Sequence, residues 1–196
     1  MFTGIVTDIA SVKTLSLANN QDLLISLEFD KVGELKIGCS ISCNGACLTL
    51  VKQENNELFF QASPETLDKT NIKSWKIGDK INIEFALKMG DELGGHLVSG
   101  HVDDVAKILN IKSLNNDSWQ FAVAMPKDLK QFIAPKGSIV LNGVSLTVND
   151  VLDDSFLVNI IRHTFDHTNF SNLKIGDYLN LEIDLIARYL KRIINH

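Results

Sequence analysis

Apolar and polar positions alternate over short runs along most of the chain, as in Leu24-Ile25-Ser26-Leu27-Glu28-Phe29, Ile81-Asn82-Ile83-Glu84-Phe85 and Phe156-Leu157-Val158-Asn159-Ile160. A period of two sends successive side chains to opposite faces, so these runs predict strands. Turn-forming residues stand between them: Asn19-Asn20, Asn55-Asn56, Asn115-Asn116-Asp117, Asp153-Asp154, and the pairs Asn44-Gly45 and Asn142-Gly143. Only the end departs from this pattern. Leu185, Ile186, Tyr189, Leu190, Ile193 and Ile194 recur at helical spacing, with Arg188, Lys191 and Arg192 opposite, which predicts an amphipathic helix within 185–196. Such a stripe either packs on its own domain or assembles subunits.

The pattern also repeats. The segment G-C-S-I-S-C-N-G-A-C-L-T-L from Gly38 recurs as K-G-S-I-V-L-N-G-V-S-L-T-V from Lys136, an offset of 98 residues. The same offset carries the block beginning at Thr66 onto that at Thr164, and Ile77-Gly78-Asp79 onto Ile175-Gly176-Asp177. Near the start the offset is 96, placing Thr3-Gly4-Ile5-Val6 on Ser99-Gly100-His101-Val102. A loop in between absorbs the two-residue difference cheaply. Short, regularly spaced strands in units of under about 100 residues suggest small closed barrels, which leave no edge strand. The fold expectation is all-β: two tandem six-stranded barrels, 1–96 and 97–184, followed by the helix 185–196.

Composition narrows the function. With 45% apolar and 22% charged residues, 3 prolines and a net charge of -5, the chain is globular and lacks the basic footprint of a nucleic-acid binder. No apolar run approaches a membrane span and the start has no signal-peptide pattern, so neither membrane nor export is expected and a cytoplasmic location is. Cys39, Cys43 and Cys47 are an odd number of thiols. Their spacing by four raises a metal reading, but Asn44-Gly45 interrupts any helical face, and buried apolar cysteine is the default.

Matched positions that differ in reactive character are where function is expected to divide: Cys47 against Ser145, Ile5 against His101, and Ala86 against Asp184. Cys39 and Cys43 face Gly137 and Leu141, and read as structural. The junction Gly94-Gly95-His96-Leu97-Val98-Ser99-Gly100-His101 concentrates glycines, which admit a ligand to the backbone, and histidines, which move protons near neutral pH.

Taken together, M-F-T-G-I-V, N-G-A-C-L-T, G-G-H-L-V-S-G-H-V and N-G-V-S-L-T resemble the riboflavin synthase family over the whole chain. The resemblance implies Greek-key barrels, a homotrimer held largely by the terminal helices, and no metal or redox cofactor. It further implies a reaction between two molecules of 6,7-dimethyl-8-ribityllumazine, in which one gives four carbons to the other to yield riboflavin and 5-amino-6-ribitylaminouracil. Association with lumazine synthase is a further partner it raises. On the same grounds the first pocket is expected to hold Gly4, Ile5, Val6, Cys47, Leu48, Thr49, Gln61, Ala62, Ser63, Pro64, Glu65 and Thr66. The second is expected to hold Gly100, His101, Val102, Lys136, Ser145, Leu146, Thr147, Asn159, Ile160, Ile161, Arg162, His163 and Thr164. Proton transfer falls to His101 with Ser145, Thr147 and Asp184 nearby, and nucleophilic or hydrogen-bonding duty to Cys47.

Arg162 stands opposite Pro64 and departs from the family pattern, as either a rim contact or a solvated charge. Two other readings share the barrel shape: a non-catalytic lumazine or flavin carrier, and a flavin-dependent reductase. The carrier class tends to lose reactive residues that are present here, and a reductase would need a nucleotide-binding glycine fingerprint that is not found.

Overall fold

The alternating runs become strands, and the strands close on themselves. The computed structural model describes residues 1–18, 21–30, 32–114 and 117–194. The expected turns at Asn19-Asn20 and Asn115-Asn116, and the helix end at Asn195 and His196, lie outside the described residues.

In the first copy β1 (Asp8–Leu17), β2 (Leu23–Glu28), β3 (Ser40–Cys43), β4 (Ala46–Glu54), β5 (Glu57–Ala62) and β6 (Lys80–Phe85) form a closed antiparallel barrel in the order β1-β2-β5-β4-β3-β6. The second copy repeats that Greek-key order with β7 (Asp104–Leu114), β8 (Ser118–Ala124), β9 (Ser138–Leu141), β10 (Val144–Val151), β11 (Ser155–Ile161) and β12 (Tyr178–Ile183). Each barrel encloses its own apolar core, around Leu27, Ile41, Leu50 and Phe60 in one and Phe121, Leu141, Phe156 and Leu181 in the other.

Even the irregularities are duplicated. The ladder slips between Val12 and Thr14 and between Ile108 and Asn110, and again between Leu50 and Lys52 and between Val148 and Asp150. These are bulges, and they turn Val51 and Leu109 out to solvent. After β5 and β11 come two short helices that period-two reading does not anticipate, α1 (Pro64–Lys69) and α2 (Arg162–His167). Ser63 caps α1 by accepting the Thr66 N–H, and Pro64 starts it. In α2 no side chain caps the end, and Arg162 pairs with Asp166 one turn on. That pair is exposed on both sides.

Asparagines join the barrels across a pseudo-twofold axis. Asn82 Nδ2 donates to the Asn142 carbonyl at 2.9 Å, and Asn180 Nδ2 donates to the Asn44 carbonyl at 2.8 Å. Asn71 N–H donates to Asn180 Oδ1, and Asn169 N–H to Asn82 Oδ1. All six amides are buried, and pairing them with each other avoids the cost of burying unsatisfied polar groups. On the axis Gly45 meets Gly143, where a Cβ on Gly45 would lie 2.8 Å from the Gly143 nitrogen.

Gly45 and Gly78 both have positive φ, but only Gly45 faces another backbone. Gly78→Ala should therefore cost the roughly 1–2 kcal/mol of a left-handed alanine. Gly45→Ala should cost about 1–3 kcal/mol more, from overpacking the joint. Urea denaturation of the two variants checks this, and equal losses would contradict the tight joint.

Candidate active site

Strands β1 and β7 each follow an arm, residues 2–6 and 98–102. The arms bridge one another: Phe2 N–H donates to the Val98 carbonyl at 2.8 Å and Val98 N–H returns the bond at 3.1 Å, with both side chains fully buried beside Val140. A carboxylate then grips each arm. Glu84 accepts from Thr3 N–H (2.6 Å), Thr3 Oγ1 (2.8 Å) and Gly4 N–H (3.0 Å). Glu182 accepts from Ser99 N–H (2.7 Å), Ser99 Oγ (2.6 Å) and Gly100 N–H (3.0 Å). Burial pushes both carboxyl groups above the usual range, and these donors hold the rise back.

With its N–H groups taken by the carboxylate, each arm turns its carbonyl to the opposite barrel. The Gly4 carbonyl accepts from Ser145 N–H at 2.8 Å, and the Gly100 carbonyl from Cys47 N–H at 2.9 Å. Val6 packs against the second core and Val102 against the first. The expected grouping is thus reversed: Gly4, Ile5 and Val6 belong with Ser145, Leu146 and Thr147, while Gly100, His101 and Val102 belong with Cys47, Leu48 and Thr49. Only glycine fits at either crossing. A Cβ on Gly4 would lie 2.5 Å from the Ser145 Cβ, and one on Gly100 2.7 Å from that of Cys47.

The candidate seats lie on the outer walls of the barrels. Ala46, Leu48 and Leu50 point into the first core, so Cys47 and Thr49 point out; Val144, Leu146 and Val148 likewise leave Ser145 and Thr147 outside. Of the expected seat residues, Leu48, Ala62 and Ile160 are core side chains that offer only backbone outward. At Cys47 a cleft of about 240 Å³ is lined by Ala46, Cys47, Glu65, Thr66, Lys69 and Thr70 of the first barrel and by Gly100, His101 and Val102 of the arm. Lys69 and Thr70 escaped sequence reasoning, although both lie in a block that the duplication matches. Gln61 donates to Asp22, and Asn159 accepts from Gln120, both on exposed strand faces. Lys136 is exposed and holds a left-handed backbone (φ 68°) where the first copy has Gly38. A larger cleft, about 670 Å³, straddles the axis away from Cys47 and Ser145, over asparagine amides that are already paired.

At Ser145 the structure places His96, a junction histidine that the comparison of copies does not pair with the second seat. His96 Nδ1 lies 2.7 Å from Ser145 Oγ, and Nε2 is buried without a hydrogen-bond partner among the described residues. Burial lowers the His96 pKa, and Asp184 nearby partly opposes this, so the ring is neutral at pH 7 and can exchange a proton with the serine. Asp184 itself caps α3 (Leu185–Ile194), its Oδ1 accepting the Ile186 N–H at 2.9 Å. Cys43 lies in the first core and Cys39 at its margin, where burial raises both thiol pKa values.

Two barrels whose outer seats are each completed by an arm held against the opposite barrel define a duplicated small-molecule-binding protein. The lumazine binding domain family model matches residues 3–86 and again 99–184. The chain is 44% identical to the riboflavin synthase of Brucella abortus (strain 2308), over 100% of this chain and 99% of that one. It is 33% identical to that of Bacillus subtilis (strain 168), over 100% and 90%. Among solved structures it superposes on LumP complexed with riboflavin with a TM-score of 0.86, at 27% identity over 93% of this chain and 99% of that one. LumP complexed with 6,7-dimethyl-8-(1'-D-ribityl) lumazine gives 0.84 at 25% over the same shares. The chain belongs to the riboflavin synthase family and is an enzyme.

The lowered pKa of His96 has a consequence for stability. The unfolded chain binds a proton near pH 6.5 that the folded seat accepts only at lower pH, so stability present above pH 6.5 falls as pH drops through the folded value. His96→Gln should remove that component. Urea midpoints at pH 7.5 and 5.5 check this, and an unchanged acid sensitivity in the variant would refute it.

Proposed function

We propose that the chain is a riboflavin synthase in the full sense: it dismutates two molecules of 6,7-dimethyl-8-ribityllumazine into riboflavin and 5-amino-6-ribitylaminouracil. The observation that carries this reading is the pair of seats related by one axis yet differing chemically, Cys47 with His101 in one and Ser145 with His96 in the other. A reaction between two identical molecules needs two such seats, and holding the partners together supplies much of the catalysis. The two products contain the atoms of two substrates, so a four-carbon transfer needs no external oxidant or reductant.

The C7 methyl of one lumazine is acidic because its anion spreads over the ring, so it calls for a positioned base. The Ser145–His96 pair, with Asp184 close by, suits that step in one seat, and His101 suits proton transfer in the other. Cys47 is fitted to add at C7 of the acceptor or to hydrogen-bond it. Outward Thr49 and Thr147 suit the ribityl hydroxyls.

We further infer a homotrimer and a cytoplasmic location. On α3, Ile186, Tyr189, Leu190, Ile193 and Ile194 are each more than half exposed, so their own barrel does not cover them. Contact between subunits through this face would bring the first seat of one chain to the second seat of another. No helix among the described residues is long and apolar enough to cross a membrane. Association with lumazine synthase would deliver the substrate directly.

The likeness to LumP complexes keeps a carrier reading in view, and turnover separates the two. Purified protein given the lumazine alone should form riboflavin and the pyrimidine in equal amounts; tight binding without product would leave only the carrier. Cys47→Ala should lower kcat at least about tenfold, on the scale of a lost catalytic group, with lumazine binding retained. Leu190→Glu should yield monomers by sedimentation that still bind lumazine but turn over at least about 100-fold more slowly, as expected from lost proximity. A fully active monomer would reject assembly of the site between subunits.

A further inference from the structure

The two carboxylate grips are not balanced in the same way. In the first copy the residue after the arm is neutral: Thr7, bonded to the Ile83 carbonyl. In the second copy the equivalent of Thr7 is Asp103, whose side chain is 10% exposed and whose charge opposes ionisation of Glu182. Two poorly solvated carboxylates at the root of one arm repel each other. The cation that meets them comes from the terminal helix. Arg188 Nη2 donates to Asp103 Oδ1 at 2.8 Å and to Oδ2 at 3.0 Å, while Ile183 N–H also donates to Oδ2 at 2.9 Å. On α3, Arg188 stands opposite the exposed apolar stripe.

We propose that α3 acts within its own chain as an electrostatic clamp, in which Arg188 neutralises Asp103 so that Glu182 can hold residues 99–102 over Cys47. Arg188 is thus a positioning residue for the first seat, at a distance from the ligand and independently of any contact between subunits. The helix that supplies this cation is attached to the copy whose arm carries the additional carboxylate. The consequence for ligand rests on the reading of this cleft as a ribityllumazine seat.

The duplication supplies an internal control. In the full-length protein carrying Arg188→Met, amide exchange at Ser99, Gly100 and Cys47 should quicken at least about tenfold, as for a locally opened segment. Exchange at their counterparts Thr3, Gly4 and Ser145 should stay unchanged. Lumazine binding should weaken in parallel, while sedimentation stays that of the wild type. Adding Asp103→Asn keeps an acceptor for Ile183 but removes the unbalanced charge, and should restore both exchange and binding. Equal exchange in both arms of Arg188→Met, no rescue in the double variant, or binding lost only through dissociation of subunits would each overturn the clamp. If the wild type itself failed to bind lumazine, the assignment of the seat would fall, and the exchange comparison would still decide the clamp.

Discussion

Two buried carboxylates, Glu84 and Glu182, fix the geometry on which the seats depend. Each needs donors, and takes all three from an arm: two N–H groups and a hydroxyl. An extended segment that has spent its N–H groups on one side has its carbonyls left for the other, where the N–H groups of Ser145 and Cys47 wait. The crossing of the arms follows from hydrogen-bond accounting, and so does the composite character of each seat. The asparagine joint then keeps the barrels in the one relation that lets both arms reach.

Much of the fold was legible in the chain because its signals are periodic. Period-two runs such as Ile81–Phe85 gave strands, Asn44-Gly45 and Asn142-Gly143 gave hairpin turns with positive φ, and the offsets gave two equivalent barrels. What alternation cannot say is which barrel an arm will touch, since it reports the face of a residue and not its neighbour. Alternation therefore groups Gly4 and Gly100 with their own barrels, whereas their carbonyls meet the opposite ones. Alternation does mark Leu48 and Ala62 as core: both are apolar positions flanked by outward ones.

His96 was legible as a junction histidine, but its contact with Ser145 was not. The matched blocks begin at Thr3 and Ser99, so the comparison of copies does not reach His96. A position outside the matched blocks does not show as a difference between copies, however reactive its surroundings. Helices α1 and α2 escaped because six residues are too few to establish a helical period against a strand background. Asp184 differs from Ala86 in reactive character, and its place before α3 also lets it cap that helix.

The crossed arms carry one more consequence, for the history open to such a protein. A single module with such an arm can complete its seat only by lending the arm to another copy and borrowing one back, which is the arrangement of a domain-swapped pair. In a pair of identical modules any substitution appears in both seats at once. Joining the two modules in one chain turns the exchange inward and frees the seats to vary separately. A cysteine can then stand in one where a serine stands in the other, and a histidine can enter one arm while isoleucine stays in its twin.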